Sequence, residues 1–175
     1  MKPNRLRLLV LNAAVLALGL ALPPAFHAVG LGSKFLPMFL PLLLNGFLSP
    51  WRWAVLTGGA APLASSLATG MPPLYPPVAL IMSVEGMVLG GVAALVYRAG
   101  GRRVWPAHVA AVVCGRATAF ALTWLLASSF RLPPGMTSAA VLLGGLPGVA
   151  LELAVVPLAL RALAKRDSLL FQDER

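Results

Sequence analysis

The sequence predicts an all-α integral membrane protein of six transmembrane helices with both termini on the cytoplasmic side. Three observations lead there. Of 175 residues 59% are apolar and 11% charged, where a soluble domain carries roughly 25% charged residues. A water-facing surface must be covered with polar groups, and this chain lacks them. The apolar residues fall in runs long enough to cross a bilayer, about 17 to 25 residues each. The basic residues fall in short clusters between those runs, which is how cytoplasmic loops of membrane proteins are marked. The net charge of +9 therefore does not point to nucleic acid, because no extended basic face accompanies it. Residues 1–166 form one transmembrane domain, and 167–175 a short polar cytoplasmic tail.

The first span covers 6–22 and stops at Pro23-Pro24, since proline removes a donor and clashes with the preceding turn. Lys2, Arg5 and Arg7 before an apolar run imitate a signal peptide, but further hydrophobic segments follow, so this reads as an uncleaved helix. Span two covers 35–48 and span three 51–67, joined by a tight turn at Ser49-Pro50. Both are short and interrupted by Pro37, Pro41, Gly58, Gly59 and Pro62, and a re-entrant pair is an alternative. Non-helical backbone at that depth survives only where protein or a watery cavity satisfies it. Span four covers 78–97 between Pro76-Pro77 and the cluster Arg98, Arg102 and Arg103. Span five covers 104–130 and span six 137–161. The lone Cys114 reads as a small buried packing residue.

Placing the N-terminus inside puts Lys2, Arg5, Arg7, Arg52, Arg98, Arg102, Arg103, Arg161, Lys165, Arg166 and Arg175 in the cytoplasm. Lys34 and Arg131 alone fall outside, a strong positive-inside bias. Segments 23–34, 68–77 and 131–136 then face the exterior. His27, Met71 and Tyr75 lie there beside proline-rich breaks and are candidate ligand contacts.

Three ionisable residues lie within spans: Glu85, Arg116 and Glu152. Each costs about 2.5–3.5 kcal/mol at mid-membrane and normally faces the bundle interior with a partner. Arg116 sits roughly 16 Å, and Glu152 roughly 13 Å, above the cytoplasmic ends of their helices, at 1.5 Å per residue. Spans five and six are antiparallel and closely connected, so Arg116–Glu152 is the expected pair, with Glu85 competing for the same guanidinium. Such a set either lines a polar substrate site or staples helices together.

No catalytic constellation is present. His27 and His108 fall on opposite sides of the membrane, no Cys/His/Asp spacing suits a metal, and there is no phosphate-binding loop. The chain reads as a non-enzyme without cofactor, and ATP-driven work would require a partner. Span one carries Ala13, Ala17 and Ala21 at four-residue spacing. Small residues in one row let another helix approach closely, which makes a candidate docking seam.

Several stretches together resemble the substrate-binding (S) components of energy-coupling factor (ECF) vitamin transporters. They are Leu36-Pro37-Met38-Phe39-Leu40-Pro41, Ala61-Pro62-Leu63 and Thr69-Gly70-Met71-Pro72-Pro73-Leu74. Met82 with Glu85, Gly115-Arg116, and the run from Pro147-Gly148 through Glu152 to Pro157 complete the series. The resemblance implies a six-helix protein of the bacterial cytoplasmic membrane that captures a vitamin-like solute from outside. It implies a transmembrane coupling protein and two cytoplasmic ATPases as partners, with the alanine seam contacting the coupling protein. It also implies that Met38, Phe39, Glu85, Arg116 and Glu152, capped by His27, Met71 and Tyr75, contact substrate. Members of the family often carry His at the position of Phe39 and Gln at that of Glu152. The alternatives are a six-span scaffold of cell-envelope assembly, or a solitary vitamin transporter without an ATPase.

Overall fold

In a computed structural model, residues 5–127, 129–132 and 145–166 are described. Among them every regular element is helical: α1 (Arg5–Ala28), α2 (Gly32–Phe35), α3 (Phe39–Leu48), α4 (Trp51–Thr69), α5 (Val78–Ala99), α6 (Val104–Ala127) and α7 (Leu146–Arg166). Four of these, α1, α5, α6 and α7, are long and apolar enough to cross a membrane. The expected start of span six at Thr137, and the polar tail 167–175, lie outside the described residues. One end of the bundle gathers Arg5, Arg52, Arg98 and Arg103, and is called the basic end below. The loop between α4 and α5, α2, and the start of α7 lie at the opposite end.

The proline pair does not stop the first helix. Pro23 and Pro24 lie inside α1, which runs on to Ala28. Each proline costs one intrahelical donor, a cost membrane helices tolerate where neighbouring elements re-satisfy the backbone. Beyond it, α2 is fastened to the end of α1 by Phe26 against Phe35, ring centroids 6.1 Å apart, and by Gly32, which has no room for a Cβ beside the His27 ring.

The doubtful second span resolves into two pieces. Leu36 takes a left-handed φ of 45° and Pro37 follows, so the chain leaves α2 and re-enters helix only at Phe39. α3 has ten residues, roughly 15 Å at 1.5 Å per residue, half of the hydrocarbon thickness of about 30 Å. The broken backbone is enclosed by protein, as it must be at that depth. Met38, Phe39, Leu42 and Leu43 are almost wholly buried, and α3 touches α1, α4, α5, α6 and α7.

α5 is the most enclosed of the four long helices, and α6 the most outward-facing. Glycines let α5 press against α4: a Cβ at Gly58 would collide with the Gly86 backbone, and one at Gly86 with the Gly58 carbonyl. The next turn repeats the contact, Gly90 lying on the Ala54 carbonyl. Close backbone approach through small residues is how helices associate where the surrounding lipid is as apolar as leucine. The outward surfaces carry Leu9, Leu18, Leu56, Leu67, Val113, Trp124 and Leu158, an apolar coat suited to acyl chains. Cys114 is on this exposed surface, which corrects the expectation of burial. It is Gly115, the next residue, that turns inward against Leu89.

A polar network closes the basic end. Asn12 Nδ2 donates to Ser49 Oγ (3.1 Å), Asn45 Nδ2 and Thr57 Oγ1 donate to Asn12 Oδ1 (2.8 and 2.7 Å), and Ser49 Oγ donates to Asn45 Oδ1 (2.7 Å). Arg98 then clamps the α3–α4 turn, its guanidinium donating to the carbonyls of Ser49 (2.7 Å) and Gly46 (3.3 Å). Four helices are thereby tied at one level. Asn45→Leu keeps the volume but strands the Ser49 hydroxyl and one lone pair of Asn12. An unsatisfied buried partner costs about 1–3 kcal/mol, so the purified variant is expected to melt several degrees lower, as followed by thermal unfolding in detergent.

Candidate functional site

The chain places its buried charges in one stratum, displaced towards the end opposite the basic clusters. Glu85 lies seven residues into α5 and Glu152 six into α7, each roughly 10 Å below the helix start at 1.5 Å per residue. Arg116 comes up from the other direction, halfway along α6. Phe39 opens α3 at the same level.

Arg116 pairs with Glu85, not with Glu152. Its Nη1 stands 3.1 Å from Glu85 Oε1, and the guanidinium carbon lies 5.1 Å from the Phe39 ring centroid, a cation–π distance. The expected Arg116–Glu152 pair is thus replaced by the competing one. The reason is helix neighbourhood: α5 runs against α6 along its length, whereas α7 rests on α2 and α3 and meets α6 little. Gly115 lets the two helices close up beside the pair, its missing Cβ facing Leu89 and, at 3.7 Å, Glu85 Cγ.

Glu152 is enclosed nonetheless, with 1% of its surface exposed. It lies one helical turn beyond Gly148, which abuts the carbonyls of Phe35 and Lys34, so its face of α7 looks onto the break before α3. Arg116 and Glu85 are both within electrostatic reach of it. Yet neither Glu152 oxygen has a hydrogen-bond partner among the described residues. The same holds for Arg116 Nε and Nη2, and for Glu85 Oε1, whose contact with Arg116 is ionic but off the hydrogen-bond axis. Buried polar groups are nearly always satisfied, so this cluster of under-satisfied ones is the candidate site.

The three loop candidates sit apart from this cluster, on the rim of the same end. Tyr75 and Met71 are 70% and 52% exposed, and His27 is exposed on the last turn of α1. The 70–77 segment is tethered: Gly70 ends α4 in a left-handed turn at φ 74°, a common helix terminus. Ser65 Oγ donates to the Met71 carbonyl (2.7 Å) and Tyr75 Oη to that of Phe130 (3.2 Å). Met38 is buried beneath, beside Phe39 and 3.9 Å from the Cβ position of Gly19. Thus Met38, Phe39, Glu85, Arg116 and Glu152 form an inner group, with His27, Met71 and Tyr75 as an outer rim.

Ala13, Ala17 and Ala21 are exposed along α1, while Asn12, Val15 and Gly19 of the same helix face the bundle. The asparagine network was missed in the sequence, although lone amides within apolar runs are the signal that reveals it. His108 was weighed in the sequence only as a partner for His27. It is fully buried four residues into α6, near Phe47 (ring centroids 6.3 Å), with neither ring nitrogen hydrogen-bonded among the described residues.

Long lipid-suited helices around a buried, under-satisfied polar cluster define a multi-pass membrane protein with a polar interior. The family comparison gives that class its particular form. The family model described as ECF transporter, substrate-specific component, matches residues 7–160, and the chain belongs to that family. No curated protein and no solved structure matches it. Membership makes this a membrane transport subunit that binds substrate, in a family whose members are binding subunits of transporters.

Proposed function

We propose that the protein is the substrate-capturing subunit of an ECF-type uptake system in a bacterial cytoplasmic membrane. It takes a vitamin or related micronutrient from the exterior for import driven by partner ATPases. The observation that carries this reading is the inner group: enclosed charges short of hydrogen-bond partners, at the end away from the basic clusters, under a tethered rim. The positive-inside rule makes the basic end cytoplasmic, so the inner group is approached from outside. α2–α3 and α4 then complete a six-helix bundle, with the break before α3 contributing backbone to the site rather than to lipid.

The partners follow from what the chain lacks and what it exposes. It has no phosphate-binding loop, so ATP hydrolysis belongs to two cytoplasmic ATPases acting through a transmembrane coupling protein. The exposed row Ala13, Ala17 and Ala21 offers that protein a flat helix face. The reading is tested by thermal shift of the detergent-purified chain against B vitamins, their precursors and cobalamin. One compound is expected to raise the melting temperature saturably, since a ligand at a hundredfold excess over Kd stabilises by about 2.7 kcal/mol. A flat panel with demonstrably folded protein would count against capture.

A further inference from the structure

The capture reading leaves open what chemistry the solute presents, and the inner group bears on that directly. Its ionisable members are two carboxylates, Glu85 and Glu152, against one guanidinium, Arg116. Arg116 spends its Nη1 on Glu85. Glu152 is left with two acceptor oxygens, both without a hydrogen-bond donor among the described residues, at 1% exposure. A second carboxylate in an enclosed, partly aromatic site is costly unless something cationic meets it. Among the described residues no side chain donates to Glu152, and Arg116, within electrostatic reach, gives its Nη1 to Glu85 instead. On the other side of the pair, Arg116 Nε and Nη2 are donors without acceptors.

Resting on the capture reading, we infer that the solute carries a positively charged nitrogen head with N–H donors, seated on Glu152, next to an acceptor atom that meets Arg116. The head supplies the direct donor contact that Glu152 lacks among the described residues, and the neighbouring acceptor fills the free edge of the guanidinium. Solutes whose polar head is a carboxylate are disfavoured, because they would place a third negative charge between Glu85 and Glu152. This makes Glu152 the specificity-determining residue and separates it in role from Glu85, which holds Arg116 in place.

The inference has a stability signature as well as a binding one. A carboxylate that waits for a ligand contributes nothing to holding the free protein together. Glu152→Gln is therefore expected to melt no lower than the wild-type chain without ligand.

The test uses the full chain in detergent with pyridoxamine as the N–H-bearing cation, and 4-pyridoxate, nicotinate, pantothenate and biotin as anions. Pyridoxamine and 4-pyridoxate share a ring and differ in the charge of one substituent. The cationic probe is expected to bind, and to lose roughly tenfold to a hundredfold in affinity in Glu152→Gln, the range for a hydrogen bond to a charged group. Glu152→Asp, which keeps the charge, should lose less. Preference for an anionic probe, or an unchanged affinity in Glu152→Gln, would overturn the inference and leave capture standing. A Glu152→Gln chain that fails to fold would make Glu152 a structural partner, which also overturns it. If neither these probes nor any other micronutrient binds the folded wild type, capture itself fails, and the inference with it.

Discussion

Arg116→Ala is expected to abolish high-affinity substrate binding and to destabilise the protein by about 3–5 kcal/mol, the usual result of stripping one partner from a buried ion pair. Glu85 is only 3% exposed, and its 3.1 Å contact with Arg116 is the interaction that offsets its burial. Removing the guanidinium leaves the carboxylate uncompensated and takes the cation from above the Phe39 ring. The two effects separate in the double variant Glu85→Gln/Arg116→Met. Replacing both charges by neutral groups removes the desolvation cost along with the attraction, so stability should return towards wild type. Binding should not return, because the donors that face the solute are gone. Melting curves with a double-mutant cycle measure the first quantity, and ligand titration the second. Binding that survives Arg116→Ala intact would remove the residue from the site.

The second large effect is expected on transport with binding untouched. Ala17 is exposed on the outward face of α1, midway along the row from Ala13 to Ala21. Its methyl group permits another helix to approach at backbone distance, and an indole would hold that helix off. Ala17→Trp should abolish uptake in cells that contain the coupling protein and ATPases, while the purified chain keeps its affinity and its melting temperature. Val113→Trp, on the exposed face of α6, is the control and should transport normally. Equal impairment by both would mean that bulk against lipid, rather than a lost docking seam, is responsible.

What could be read in the sequence was what local chemistry dictates. Val78 and Val104 begin their helices where expected, because Pro76-Pro77 and Arg102-Arg103 punctuate the chain in any context. The break around Pro37 was visible for the same reason. Pro23-Pro24 misled, because a helix that keeps going through prolines depends on what the lost donors are exchanged for, and that is tertiary. The choice of Glu85 over Glu152 was equally hidden. Both carboxylates lie at a depth Arg116 can reach, and the decision falls to Gly115 and the approach of α5 to α6, a matter of packing between separate helices. Asn12 and Asn45 look like isolated polar intrusions until the fold brings them to 2.8 Å. Of the candidate site, Glu85, Arg116 and Glu152 were identifiable by the cost of their burial, while Met38, Phe39 and the capping place of His27, Met71 and Tyr75 relative to them rested on the family resemblance.

The measurement that tests the account most directly is calorimetric titration of the micronutrient found by thermal shift into the purified chain alone, without coupling protein, ATPases or nucleotide. Saturable binding at one solute per chain, weakened by Arg116→Ala, is the result expected of a capturing subunit with its own complete site. No binding to the folded chain, or binding that arises only once the ATPases are added, would contradict it.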